Sequence, residues 1–246
     1  MTNKYMYFIA NWKMFGGLRS LNSLDKVIKF SKSKQINKGR LIYCPPYTLI
    51  SSFLKKFKNC QIDIGGQNCH ENESYGSYTG FINPRMLKDI GANYVIIGHS
   101  ENRVKGETNK LINLKIKSAL KANLKVIFCI GETLSEKKKQ KTQSTLSTQI
   151  KVGLHKIKVK SNIFIAYEPV WAIGTGIVPK SKDLFRTIKF IKSKFKHKSP
   201  KVLYGGSVSP QNIMNLKEIN NIDGFLIGGA SQNSKKFIDI VKKTYN

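Results

Sequence analysis

The chain has 246 residues, 40% of them hydrophobic, and carries 43 Lys and Arg against 14 Asp and Glu, a formal net charge of +29. This length and apolar content suit one large α/β domain or two small ones. The apolar runs are too short for a signal peptide or a membrane span, so we expect a cytoplasmic protein with no membrane partner. Because lysine is spread along the whole chain, a solvated surface is favoured over a nucleic-acid interface.

Eight short runs rich in β-branched and aromatic residues predict strands. In chain order they are 5–10, 41–44, 62–65, 94–98, 126–130, 163–167, 202–204 and 224–227. Between them apolar residues recur at helical spacing, with lysine on the other face, as in 21–30, 110–122, 183–195 and 235–242. This alternation, without a linker, predicts a single α/β domain over residues 1–246 folded as a closed (β/α)8 barrel. An open doubly wound sheet is the alternative.

Cysteine and histidine spacing gives no sign of a metal or disulfide framework. The four cysteines contain no Cys-x-x-Cys pair, and the four histidines show no metal-ligand spacing. We therefore expect buried free thiols, no metal and no cofactor.

Polar and glycine residues follow five of the predicted strands. They are Asn11-Trp12-Lys13, His99-Ser100-Glu101, Glu168, Gly205-Gly206-Ser207 and Gly228-Gly229. Right-handed crossovers bring the carboxyl ends of parallel strands to one side, where barrels build their sites. Each segment alone has an ordinary explanation, such as a solvated lysine or a tight turn. Five together predict a functional site.

The glycine segments indicate the class of ligand. Glycines after the last two strands let backbone N–H groups approach an anion, so a phosphate monoester is expected there. Gly174 could supply a further N–H and Lys13 a positive charge. Glu168 could take a proton from carbon while His99 donates a hydrogen bond to a carbonyl oxygen, and Asn11 with Lys13 could stabilise the developing charge. This combination predicts enolisation of a phosphorylated carbonyl compound.

Four motifs in family order resemble triosephosphate isomerase. They are Asn11-Trp12-Lys13-Met14, Gly98-His99-Ser100-Glu101, the segment from Tyr167 to Gly176, and Tyr204-Gly205-Gly206-Ser207-Val208. The resemblance implies a TIM barrel and the interconversion of dihydroxyacetone phosphate and D-glyceraldehyde 3-phosphate, an aldose–ketose isomerisation of glycolysis and gluconeogenesis.

The resemblance also implies roles for individual residues. Glu168 would be the base that moves the proton, His99 the electrophile and Lys13 the cation at the substrate, with Asn11 and Glu101 in support. Substrate binding would involve Asn11, Lys13, Gly174, Ser207, Gly228 and Gly229.

Residues 169–179 resemble the family's lid, which closes over the intermediate and excludes water. Pro179 departs from the pattern, since many members offer a backbone N–H to the tyrosine matched by Tyr204, and proline has none. We therefore expect lid closure to depend more on Ser207 meeting the backbone near Gly176.

The segment 67–81 resembles a loop that inserts into a partner subunit, bringing a threonine matched by Thr79 near the partner's Asn11. Related dimers often carry Glu where this chain has Phe81, and Arg where it has Asn102. Both charges are absent together, which avoids stranding one buried charge. A homodimer held there by apolar contact is expected.

Three other functions stay open from sequence alone. The barrel could bind phosphate compounds without turnover, isomerise another phosphosugar, or bind RNA through its positive surface. The full set of motif residues disfavours the first, and the short lid favours a three-carbon substrate over the second. RNA binding would weaken steeply with added salt, whereas binding of one phosphate would respond less.

Overall fold

A computed structural model describes residues 4–33, 36, 38–160, 162–196 and 199–246. Eight parallel strands form a closed barrel in chain order. They are β1 (Met6–Asn11), β2 (Gly39–Cys44), β3 (Ile62–Gly66), β4 (Tyr94–Ile97), β5 (Lys125–Ile130), β6 (Ile163–Tyr167), β7 (Lys201–Tyr204) and β8 (Gly224–Ile227). The ring closes where β8 pairs with β1, with Tyr7 opposite Gly224 and Ala10 opposite Ile227. The predicted (β/α)8 barrel is confirmed, and the open sheet is excluded.

Helices connect the strands and surround the barrel. They are α1 (Asp25–Ser31), α2 (Ile50–Lys56), α3 (Pro84–Asp89), α4 (Ser100–Val104), α5 (Asn109–Lys121), α6 (Leu134–Lys138), α7 (Thr142–Gly153), α8 (Ser181–Ser193), α9 (Ile213–Lys217) and α10 (Ser234–Tyr245). In the described ranges, no helix is long and apolar enough to cross a bilayer.

One predicted helix differs from the structure. The apolar spacing predicts a helix over 21–30, but residues Leu18–Leu24 form a 3-10 helix and the α-helix begins at Asp25. Ser20 accepts a hydrogen bond from the backbone N–H of Gly17, and the hydroxyl of Ser23 donates to the Ser20 carbonyl. Such local side-chain bonds compete with the α-helical pattern, which explains the later start.

Two layers of buried side chains hold the barrel together. Alternate strand residues point inward, and the inner cluster includes Ile9, Ile42, Ile96, Ile127 and Leu203. Their neighbours pack outward against the helices, as Phe8 does against Tyr245 of α10. Strands buried on both faces explain the continuous apolar runs in the sequence. This rigid frame fixes the loops that follow each strand.

Candidate active site

A cavity of about 320 Å³ opens at the carboxyl end of the strands. The structure brings eight of the nine predicted site residues to its wall, namely Asn11, Lys13, His99, Glu168, Gly174, Ser207, Gly228 and Gly229. The ninth, Glu101, borders a neighbouring cleft and reaches the site through its contact with Lys13. Residues from strand ends far apart in the chain therefore meet at one place.

Glu168 directly follows β6 and is only 2% exposed. Its Oε1 lies 3.2 Å from Nε2 of His99, and its Oε2 accepts a hydrogen bond of 3.2 Å from the backbone N–H of Ser100. Gly205 leaves room for this carboxylate, since a Cβ on that residue would lie 2.9 Å from Cγ of Glu168. The carboxylate is thus held by the segment after β4 and lies close against the loop after β7.

His99 caps the start of α4 and is buried beside Glu168. Its Nδ1 accepts a hydrogen bond of 3.3 Å from the backbone N–H of Glu101. An accepting Nδ1 carries no proton, so the hydrogen of the neutral ring is on Nε2. Nε2, the donor of that ring, therefore faces Oε1 of Glu168 at the cavity wall.

The backbone of Lys13 is left-handed, with a φ angle of 55°, which is rare for residues other than glycine. Two side chains hold it there, because its N–H donates to Oδ1 of Asn11 and its carbonyl accepts from Nε2 of Gln67. Its Nζ lies 2.6 Å from Oε1 of Glu101. Partial burial acts to raise the pKa of Glu101, but the hydrogen bond and positive charge of Lys13 bring that pKa below its ordinary value.

The segment 169–179, which resembles the family's lid, is joined to the loop after β7. The hydroxyl of Ser207 donates to the carbonyl of Ala172 at 2.7 Å and accepts from the N–H of Gly176 at 3.1 Å. Gly174 and Gly176 adopt positive φ angles of 70° and 77°, which glycine accommodates without strain. Ser207 makes the contact near Gly176 that the sequence predicts.

The hydroxyl of Tyr204 is buried and has no hydrogen-bond partner in the described part of the chain. The absence of an N–H at Pro179 agrees with this orphaned hydroxyl. Burial raises the pKa of Tyr204 far above its ordinary value.

Glu132, in the loop after β5, was missed by the sequence reasoning. It is buried and accepts hydrogen bonds from the hydroxyl of Tyr167 and from Nε1 of Trp171, the latter at 2.9 Å. Burial raises the pKa of Glu132, although these bonds oppose the shift. Lys137 places its ammonium over the Trp171 ring, 3.2 Å from the centroid. The signal available in the sequence is a charged residue two positions after the fifth apolar run.

A second cleft of about 570 Å³ adjoins the site and is lined by Asn11, Lys13, Phe81 and Asn102, among others. The side chain of Phe81 is 62% exposed at its edge. The four cysteines are free, and in the described ranges no group of three or more His, Cys, Asp or Glu could hold a metal ion.

The comparisons with known proteins agree with this geometry. The family model for triosephosphate isomerase matches residues 6–244. The chain is 42% identical to the triosephosphate isomerase of Thermodesulfovibrio yellowstonii over 245 residues, covering 96% of this chain and 98% of the relative. It is 41% identical to that of Dictyoglomus turgidum over 243 residues, covering 95% and 97%.

A solved structure leads to the same family. The crystal structure of triosephosphate isomerase from Bartonella henselae superposes with a TM-score of 0.87 at 36% identity, covering 96% of this chain and 97% of that one. The chain belongs to the triosephosphate isomerase family and is an isomerase that interconverts dihydroxyacetone phosphate and D-glyceraldehyde 3-phosphate.

Proposed function

We propose that Glu168 is the base of this isomerisation and that His99 and Lys13 stabilise the enediolate it creates. The observation that carries the proposal is the distance of 3.2 Å between Oε1 of Glu168 and Nε2 of His99, both buried at one cavity wall. A carboxylate at this position can take a proton from one carbon and return it to the next. The proposed role of the Nε2 hydrogen of His99 and of the positive charge of Lys13 is to stabilise the oxygen that becomes negative.

The phosphate is proposed to lie at the other end of the cavity. Gly174, Ser207, Gly228 and Gly229 line that end, and backbone N–H groups of such loops bind phosphate oxygens. Asn11 supports the site by accepting the N–H of Lys13, and Glu101 does so by holding the Lys13 ammonium. The lid over 169–179 would keep water from the enediolate phosphate, which would otherwise lose its phosphate.

The test is the variant Glu168→Gln, which keeps the shape of the side chain but cannot accept the proton. We expect kcat for glyceraldehyde 3-phosphate to fall by about 10²- to 10⁴-fold, while inorganic phosphate still inhibits by binding the same cavity. The matched control is Glu218→Gln, which makes the same change from carboxylate to carboxamide at an exposed residue after α9 and should leave kcat unaltered. Full turnover in Glu168→Gln would remove Glu168 from the base role.

We also propose a homodimer formed through segment 67–81. Exposed apolar side chains lie on and around this segment, including Phe81, Tyr75 and the fully exposed Met14. The cleft beside Asn11 and Lys13 is large enough to take a partner's loop. Exposed apolar side chains of this kind are typical of association surfaces.

Sedimentation of the variant Phe81→Glu tests the proposed dimer. A new charge in an apolar contact would have to be desolvated on association, so we expect this variant to sediment as a monomer. Phe185→Glu on α8 changes another exposed phenylalanine and should leave the dimer intact. A fully active monomer in the parent chain would contradict the proposal.

Three further expectations remain proposals. The four free thiols support the reducing cytoplasm as the compartment. Residues 1–246 are proposed to act as a single catalytic domain. The lysine-rich exterior is proposed to be a solvated surface with no nucleic-acid partner, which RNA-binding assays across a range of salt would test.

A further inference from the structure

Lys236 adds a charged side chain to the wall of the active-site cavity. It lies in the first turn of α10, and it lines the same cavity as Glu168, Ser207 and Gly229. Its side chain is exposed, and in the described part of the chain its ammonium forms no ion pair or hydrogen bond. The charge is therefore free to interact with whatever occupies the cavity.

The charges around the site are unbalanced without this lysine. A phosphate monoester carries nearly two negative charges near neutral pH. The positive charge of Lys13 is matched by Glu101, 2.6 Å away, and Glu168 adds a further negative charge. These three side chains together carry a net charge of −1, which opposes entry of an anion. Lys236 brings that sum to zero.

The position of Lys236 in its helix has no structural explanation. The amino-terminal turn of a helix carries a partial positive charge, so an ammonium there is disfavoured by its own helix. Lys236 is exposed and is not needed for packing, although its backbone N–H is capped by Asn233. Lys235, its neighbour in the same turn, is also exposed but does not line the cavity. An anion in the cavity would offset the unfavourable placement of Lys236 in particular.

We propose that Lys236 is a substrate-binding residue that supplies a second cation for the phosphate group of the substrate. The inference rests on the proposed position of the phosphate at the glycine loops. The lysine acts by Coulomb attraction on a bound or approaching anion, so its effect is on binding and is screened by salt.

The experiment compares Lys236→Gln with Lys235→Gln, which removes the same charge from the same helix turn. The readouts are kcat and KM for glyceraldehyde 3-phosphate and the inhibition constant of inorganic phosphate, at ionic strengths of about 0.01 M and about 0.15 M. In Lys236→Gln we expect KM and the inhibition constant to rise about fivefold at low salt, and about twofold or less at the higher salt. The kcat should stay near that of the parent, and Lys235→Gln should match the parent throughout.

Equal effects of the two variants would overturn the inference, because they would show only the general field of a basic protein. A fall in kcat at unchanged KM would overturn it as well. Ser207→Ala separates this result from the proposed phosphate position. If Ser207→Ala weakens phosphate inhibition and Lys236→Gln does not, the inference fails and the phosphate position stands. If only Lys236→Gln weakens it, Lys236 holds the phosphate and the position at the Ser207 loop is wrong.

Discussion

Tyr167 and Tyr204 end neighbouring strands of the barrel but differ in how their hydroxyl groups are satisfied. Tyr167 donates to the carboxylate of Glu132, whereas the buried hydroxyl of Tyr204 has no partner in the described residues. A buried polar group without a partner costs about 1–3 kcal/mol relative to one that is hydrogen-bonded.

Tyr204→Phe should leave the free energy of unfolding unchanged or raise it by about 1 kcal/mol, because no hydrogen bond is lost. Tyr167→Phe should lower it by about 1–2 kcal/mol, because Glu132 stays buried with one donor fewer. Urea unfolding at one fixed protein concentration measures both changes. Equal losses in the two variants would mean that Tyr204 has a partner in solution.

At the scale of residues, the sequence indicates which side chains meet at the cavity better than it indicates the contacts that hold them in position. Glu168 and His99 are predicted because each follows an apolar run that ends at the same rim of the barrel. Glu132 was missed because its importance depends on Trp171, which is 39 residues away and meets it only in the folded chain. The left-handed conformation of Lys13 also cannot be predicted from the sequence, since hydrogen bonds with Asn11 and Gln67 hold it.

At the scale of elements, the segment 169–179, the proposed lid, is bonded to the loop after β7 through the side chain of Ser207. Ser207 bonds two lid residues, Ala172 and Gly176. Pro179 has no N–H to donate to Tyr204, so a hydrogen bond between these two residues cannot add to the two bonds of Ser207.

Ser207→Ala should therefore lower kcat by about tenfold, the effect of losing a hydrogen bond of ordinary strength when the lid closes. The fluorescence of Trp171, which lies in the lid, should report less closure on addition of inorganic phosphate. Ser209→Ala removes a neighbouring hydroxyl on the same cavity wall that makes no lid contact, and it serves as the control. Unchanged turnover and closure in Ser207→Ala would show that the lid closes by other contacts.

Element boundaries follow the sequence where burial dominates. The eight strands lie within two residues of their predicted bounds, because strands covered on both faces read as uninterrupted apolar runs. The predicted helix over 21–30 begins late because serine hydroxyls there bond to the local backbone. Local competition of this kind is weakly marked in an apolar pattern.

At the scale of the whole molecule, the alternation of eight strands with helices predicts the barrel, but contacts between residues far apart in sequence close it. The indole N–H of Trp12 donates to the carbonyl of Ser231, and Gln232 donates to the carbonyl of Trp12. These bonds join the loops after the first and last strands, next to the cavity. No local pattern specifies them, so closure was predicted from the number of units and from the family resemblance.

The net charge of +29 acts at the scale of the whole molecule, through the electrostatic field around the protein. The lysines cover the exterior, while the charges of Lys13, Glu101, Glu168 and Lys236 at the candidate site sum to zero. The general field favours the approach of an anionic substrate at low salt, and the local arrangement decides where the anion is held.

The most direct test of this account is the turnover of glyceraldehyde 3-phosphate by the purified protein, measured beside Glu168→Asp. The shorter side chain withdraws the carboxylate by about 1 Å, and displacement on this scale costs on the order of 10²-fold in rate. We predict rapid turnover by the parent, a kcat reduced by about that factor in the variant, and similar KM values. Equal kcat values in the two proteins would contradict the assignment of Glu168 as the base on which the account depends.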